Sequence, residues 1–165
     1  MLLLASLFAC GTADKDADGE DADLVAAEEL LAALGDVSAW ANVPGWDGVM
    51  ASCDGTHGPM VEVWADTAAL DAIGGGVATF PEGATLVKAA YDEDGATLRS
   101  TTLMQKRAGS APDAGDWYWA RYDASGAATN AGAVTMCSGC HASAGTDYAF
   151  TLDAPGAPDA AACDG

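Results

Sequence analysis

Hydrophobic and polar positions follow two rhythms along the chain. Leu24, Ala27, Leu31 and Leu34 recur at helical spacing and predict a helix over 24–34. Asp23 can cap its start and Gly35 can end it. Residues 37–58 lose the periodicity and hold Pro44, Gly45 and Gly48, so they read as loop, with Trp40 and Trp46 as core plugs within it. Met60 to Trp64 reads as a strand. Asp66 to Ile73 reads as a short helix, capped by Asp66 and stopped by Gly74, Gly75 and Gly76. The rhythm then becomes β: strands over Ala84 to Tyr91, Thr97 to Lys106 and Asp116 to Tyr122, with a turn at Asp94-Gly95. Asp123, Ser125 and Gly126 are turn formers that end the third of these. Ala127 to His141 is expected to be helical, and Tyr148 to Leu152 a last strand. The expected class is α+β: a β-rich antiparallel sheet with a few short helices and a C-terminal segment that carries the chemistry.

At 165 residues the chain holds one domain plus tails. The expected division is 1–10 export signal, 11–23 acidic tether, 24–153 functional domain and 154–165 tail. The net charge of −19 argues against nucleic acid and anionic membrane surfaces as partners. It suits small neutral or cationic ligands and a basic redox partner protein. Five of the six basic residues, Lys88, Arg99, Lys106, Arg107 and Arg121, lie between positions 88 and 121. Most of them read as ordinary strand-face charges.

Met1 to Ala9 is apolar and uncharged, and too short to span a bilayer. Leu7-Phe8-Ala9-Cys10 resembles a bacterial lipobox, in which Cys10 takes a lipid anchor; this implies a periplasmic, outer-membrane-anchored lipoprotein. Asp14, Asp16, Asp18 and Gly19 match the first half of a calcium loop, but Val25 stands where a bidentate glutamate is needed, so 11–23 reads as a spacer. Cys53 and Cys163 form a disulfide in an exported protein or remain two buried thiols.

The strongest chemical signal is Cys137-Ser138-Gly139-Cys140-His141, a C-x-x-C-H run. That spacing suits covalent attachment of one haem c: two thiols add across the vinyl groups and the adjacent imidazole ligates the iron. Zinc needs about four ligands, and His57 is the only other histidine. A redox or structural cysteine pair is the alternative. Met136 adjoins the motif, which is poor geometry for a ligand on the opposite side of the iron. An ordinary small cytochrome c is helical with its C-x-x-C-H near the N-terminus; here a sheet precedes it.

On the strand Ala84 to Tyr91, Leu86, Lys88 and Ala90 share one face and Val87, Ala89 and Tyr91 the other. Lys88 has apolar neighbours on either side, so it reaches solvent or meets a specific partner.

Four segments carry a resemblance. Phe80-Pro81-Glu82-Gly83-Ala84-Thr85-Leu86-Val87-Lys88 resembles the F-x-D/E-G-x-x-x-x-K segment of the cytochrome P-460 family. Gly115-Asp116-Trp117-Tyr118-Trp119-Ala120 resembles its G-D/N-W strand. Cys137 to His141 with Asp147-Tyr148-Ala149-Phe150-Thr151 resembles its ending, and Thr56-His57-Gly58-Pro59 is similar to a segment before a strand. The resemblance implies a β-rich domain holding a c-type haem on His141, with the other face of the iron open. It implies that Lys88 is the lysine joined covalently to the haem edge in the family's hydroxylamine-oxidising enzymes, which yield nitrous oxide. It also implies a small nitrogen-containing ligand, and the family often dimerises. Related cytochromes c-prime-beta share the fold and mainly bind nitric oxide. An enzyme needs a distal proton-moving group, for which Glu62 is the candidate; the absence of a carboxylate in Ala142-Ser143-Ala144 argues against strong hydroxylamine oxidation. A plain electron carrier would use Met50, Met60 or Met104 as sixth ligand.

Overall fold

The computed structural model describes residues 17–52 and 56–150. The expected lipid anchor at Cys10, the expected disulfide or thiols of Cys53 and Cys163, and the tail lie outside the described residues. Strands β1 (Ala41–Asn42), β2 (Met50–Ala51), β3 (Met60–Ala65), β4 (Thr85–Tyr91), β5 (Leu98–Lys106), β6 (Trp117–Asp123) and β7 (Ala128–Gly132) form one sheet in the order β1-β3-β4-β5-β6-β7, with β2 also on the β3 edge. Every pairing is antiparallel. Helices α1 (Ala17–Leu34), α2 (Thr67–Gly74) and α3 (Thr135–His141) complete the α+β domain.

The alternation of β3 to β6 divides the core in two. Val87, Ala89, Leu103, Tyr118, Ala120 and Tyr122 point to one side, where Ala27, Leu30, Leu31 and Leu34 of α1 cover them. Tyr122 donates its hydroxyl to the Ala27 carbonyl at 2.7 Å, and Tyr118 to that of Asp23 at 3.0 Å. Burial pushes both phenols' pKa above the ordinary value. On the other side Val61, Val63, Leu86, Ala90, Met104, Trp117 and Trp119 pack with Ala69 and Ala72 of α2, Phe80 and Trp46.

Local chemistry explains the elements. Asp66 caps α2 by accepting from the Ala69 N–H at 2.8 Å. Asp94 accepts from the Ala96 and Thr97 amides, and Gly95 takes φ +64° to close the β4–β5 turn.

Three expectations change. α1 starts at Ala17, not Leu24, so part of the expected tether is helix. Residues 127–141 are not one helix. Asp123 and Gly126 fold the chain back, Arg121 pairs with Asn130, and β7 runs to Gly132 before α3 begins. Thr129, Asn130 and Gly132 are poor helix formers, and pairing with β6 satisfies their backbone. The expected strand over 148–152 is absent from its described part: Asp147 and Tyr148 take φ of +45° and +63°, and an isolated Thr146–Ala149 bridge closes a tight turn.

Candidate functional site

Cys137, Cys140 and His141 all lie on α3, where spacings of three and four residues place side chains on one helical face. Cys137 is half-buried and Cys140 exposed, and both are free thiols. Burial pushes the Cys137 thiol's pKa up; Cys140 beside it adds to the shift and Arg121 opposes it.

His141 is held in one orientation. Its Nδ1 lies 2.8 Å from the Tyr148 carbonyl oxygen. A carbonyl only accepts, so Nδ1 carries the proton, and in the neutral ring Nε2 holds the lone pair. The ring also packs edge-on against Trp119 at 4.6 Å and Phe150 at 5.1 Å between centroids. His57 stands 6.4 Å away, nearly perpendicular.

α3 faces a cavity of about 220 Å³ whose opposite wall is the sheet. Strand register puts Lys88 between Val63 and Thr102, with Arg121 beyond Thr102. All four line the cavity. Lys88 thus points to the α3 side, with its Nζ 5.3 Å from the centre of the Trp46 ring. His57, Met104 and Phe150 also line the cavity, as do Met136, Cys137, Cys140 and His141.

Not every sequence candidate is here. Glu62 pairs with Ala89, on the face that α1 covers, and its carboxylate accepts from the Asn42 amide at 3.3 Å. It is not a wall residue of the cavity, because β3 alternates and Val61 and Val63 take the cavity side. Of the three methionines, Met104 lines the cavity, Met50 packs against the neighbouring core, and Met60 is outside the lining. Trp46, read as a core plug, is both buried and part of the wall. Lys106 is no ordinary strand-face charge: its ammonium is buried and paired with Asp147 at 2.7 Å. Arg99 does face solvent, against Asp92. Trp119 and Phe150 lie in two of the resembling segments, but sequence reasoning gave neither a place in the site; their company in those segments was the available signal.

Three of the resembling segments meet at Asp147. Its carboxylate accepts from the Phe80 N–H at 2.8 Å, and its carbonyl accepts from Trp117 Nε1 at 2.6 Å. Gly115, at φ +67°, sits so close that an added Cβ would lie 3.0 Å from Asp147 Oδ1 and from the Tyr148 ring.

The residues fit a haem. Two thiols and an imidazole line a largely apolar cavity from a single helix. Trp119, 4% exposed, has an indole N–H with no partner among the described residues, which an acceptor on a bound group would satisfy. Among the described residues no group of three or more His, Cys, Asp or Glu side chains gathers as a metal-ion site, and no helix is long and apolar enough to cross a membrane.

The family model described as Cytochrome P460 matches residues 44–151, more than half of the chain and every one of these site residues. No curated protein matches.

Proposed function

The chain belongs to the cytochrome P460 family and is a haem-binding cytochrome; from that membership we propose a mono-haem c-type cytochrome that performs redox chemistry on hydroxylamine or a related small nitrogen species. In this reading Cys137 and Cys140 would hold the haem by thioether bonds, His141 would ligate its iron, and Lys88 would be joined to the haem edge. The observation that carries it is the placement of Lys88 and His141 on facing walls of one cavity. When bound, the haem supplies an iron that binds the nitrogen ligand and accepts its electrons.

The chain's own residues do the rest. Nδ1–H of His141 donates to the Tyr148 carbonyl, which fixes the ring's orientation. Trp46 receives the Lys88 ammonium over its ring and keeps the amine inward. The apolar wall of Val63, Leu86 and Met104 excludes water beside the reacting atoms. The net charge of −19 suits a basic protein as electron acceptor. Export and lipidation at Cys10 would place this chemistry in the bacterial periplasm.

A second reading, a nitric oxide binder without turnover, is favoured by one feature: the described residues of the cavity wall include no carboxylate to take protons from a bound N–H or O–H. Steady-state assay with hydroxylamine and an artificial electron acceptor separates the two. Acceptor reduction with nitrous oxide release supports the enzyme. Tight nitric oxide binding without acceptor reduction supports the binder.

A further inference from the structure

The buried Lys106–Asp147 pair lies outside the cavity wall, yet it is wired to His141. Lys106, on β5, has its ammonium 2.7 and 2.8 Å from the two Asp147 carboxylate oxygens and donates to the Gly115 carbonyl at 2.6 Å. The two side chains are 10% and 8% exposed. The ammonium also lies 5.1 Å from the centre of the Trp117 ring.

Asp147 and Tyr148 both adopt left-handed backbone, which a tyrosine does not hold without outside support. Neighbouring residues supply that support. Lys106 and the Phe80 amide fix the Asp147 side chain, Trp117 Nε1 fixes its carbonyl, and Gly115 leaves room for both residues. The product of this unusual turn is a carbonyl at Tyr148 aimed at His141 Nδ1.

We infer that the Lys106–Asp147 ion pair is a positioning device for the proximal ligand, setting the orientation and electron-donating strength of His141 through the Tyr148 carbonyl. This rests on the reading of His141 as the iron ligand. A ligating imidazole that shares its second proton with a firmly held acceptor is a better donor to the metal. It stabilises the ferric state and strengthens the iron–nitrogen bond. Loosening the turn relaxes both.

The test uses the haem-loaded protein and two readouts that packing alone does not set: the ferrous iron–histidine stretching band by resonance Raman, and the midpoint potential. Asp147→Asn keeps the shape and an acceptor for Phe80 but removes the charge that holds Lys106. Lys106→Gln removes the charge from the other side, and Lys106→Arg restores it. Asp92→Asn, which breaks the exposed pair with Arg99, is the control for loss of an ion pair elsewhere. We expect Asp147→Asn and Lys106→Gln to shift the band to lower frequency and raise the potential, with Lys106→Arg closer to wild type and Asp92→Asn unchanged. Folded Asp147→Asn or Lys106→Gln protein with a wild-type band and potential overturns the inference. If wild type itself shows no iron–histidine band, and His141→Gly leaves its spectrum unchanged, the reading of His141 has failed instead.

Discussion

Lys88 and Trp46 face each other inside the cavity, the ammonium 5.3 Å from the centre of the indole ring. A lysine on an otherwise apolar strand face would normally extend its amine to water. The aromatic face gives the charge an inward position instead, a contact of about 0.5–2 kcal/mol. Trp46→Leu should therefore keep an apolar filler at this buried position and release Lys88 from its inward pose. The expected outcome is a mixed holoprotein population, part with Lys88 joined to haem and part without, read from intact-mass and ferrous absorption spectra. A homogeneous population identical to wild type would remove Trp46 from the account.

Cys137 and Cys140 share the α3 face with His141. If both form thioethers, acid–acetone treatment should leave the haem on the polypeptide. Cys137→Ala and Cys140→Ala should each retain haem through the remaining thioether. The double variant tests Lys88: haem that still resists extraction there is held by the lysine alone.

Gly115 is the position where the site is least tolerant of a methyl group. Its φ of +67° disfavours any other residue, and a Cβ would meet Asp147 and Tyr148 at 3.0 Å. Gly115→Ala should cost more than about 2 kcal/mol by denaturant unfolding. It should also perturb His141, since the same turn carries the Tyr148 carbonyl.

Tyr122 bolts α1 to the far side of the sheet through the Ala27 carbonyl. That carbonyl belongs to a helix and can keep an intrahelical partner, so Tyr122→Phe should lose only about 1 kcal/mol. The haem spectrum should not change, because the sheet separates this bond from the cavity. A spectral change would mean that α1 is coupled to the site.

Much of this architecture was legible in the residues. β3 to β6 announce themselves as runs rich in β-branched and aromatic residues between turn formers, and Asp66, Asp94 and Gly95 mark their neighbouring turns by well-understood local chemistry. β7 was hidden because Ala128 to Gly132 has no strong period of its own; it is a strand only because β6 offers a partner. The ending at 148 was misread because Tyr148 and Phe150 look strand-like, while the left-handed turn depends on contacts with Lys106, Phe80 and Trp117, far away in sequence. Lys88 was visible as an anomaly on its strand. The side it faces, and the opposite side taken by Glu62, required the register of β3 with β4 and the position of α3.

The account stands most directly on Lys88. Proteolysis of the haem-loaded protein followed by mass spectrometry of the Lys88-containing peptide reads it in one step. The predicted result is a single haem-bearing species in which the Lys88 peptide and the Cys137–Cys140 peptide are joined through the same haem, lost in Lys88→Ala. A Lys88 peptide that runs free at its unmodified mass, while Cys137 and Cys140 carry all the haem, would contradict it.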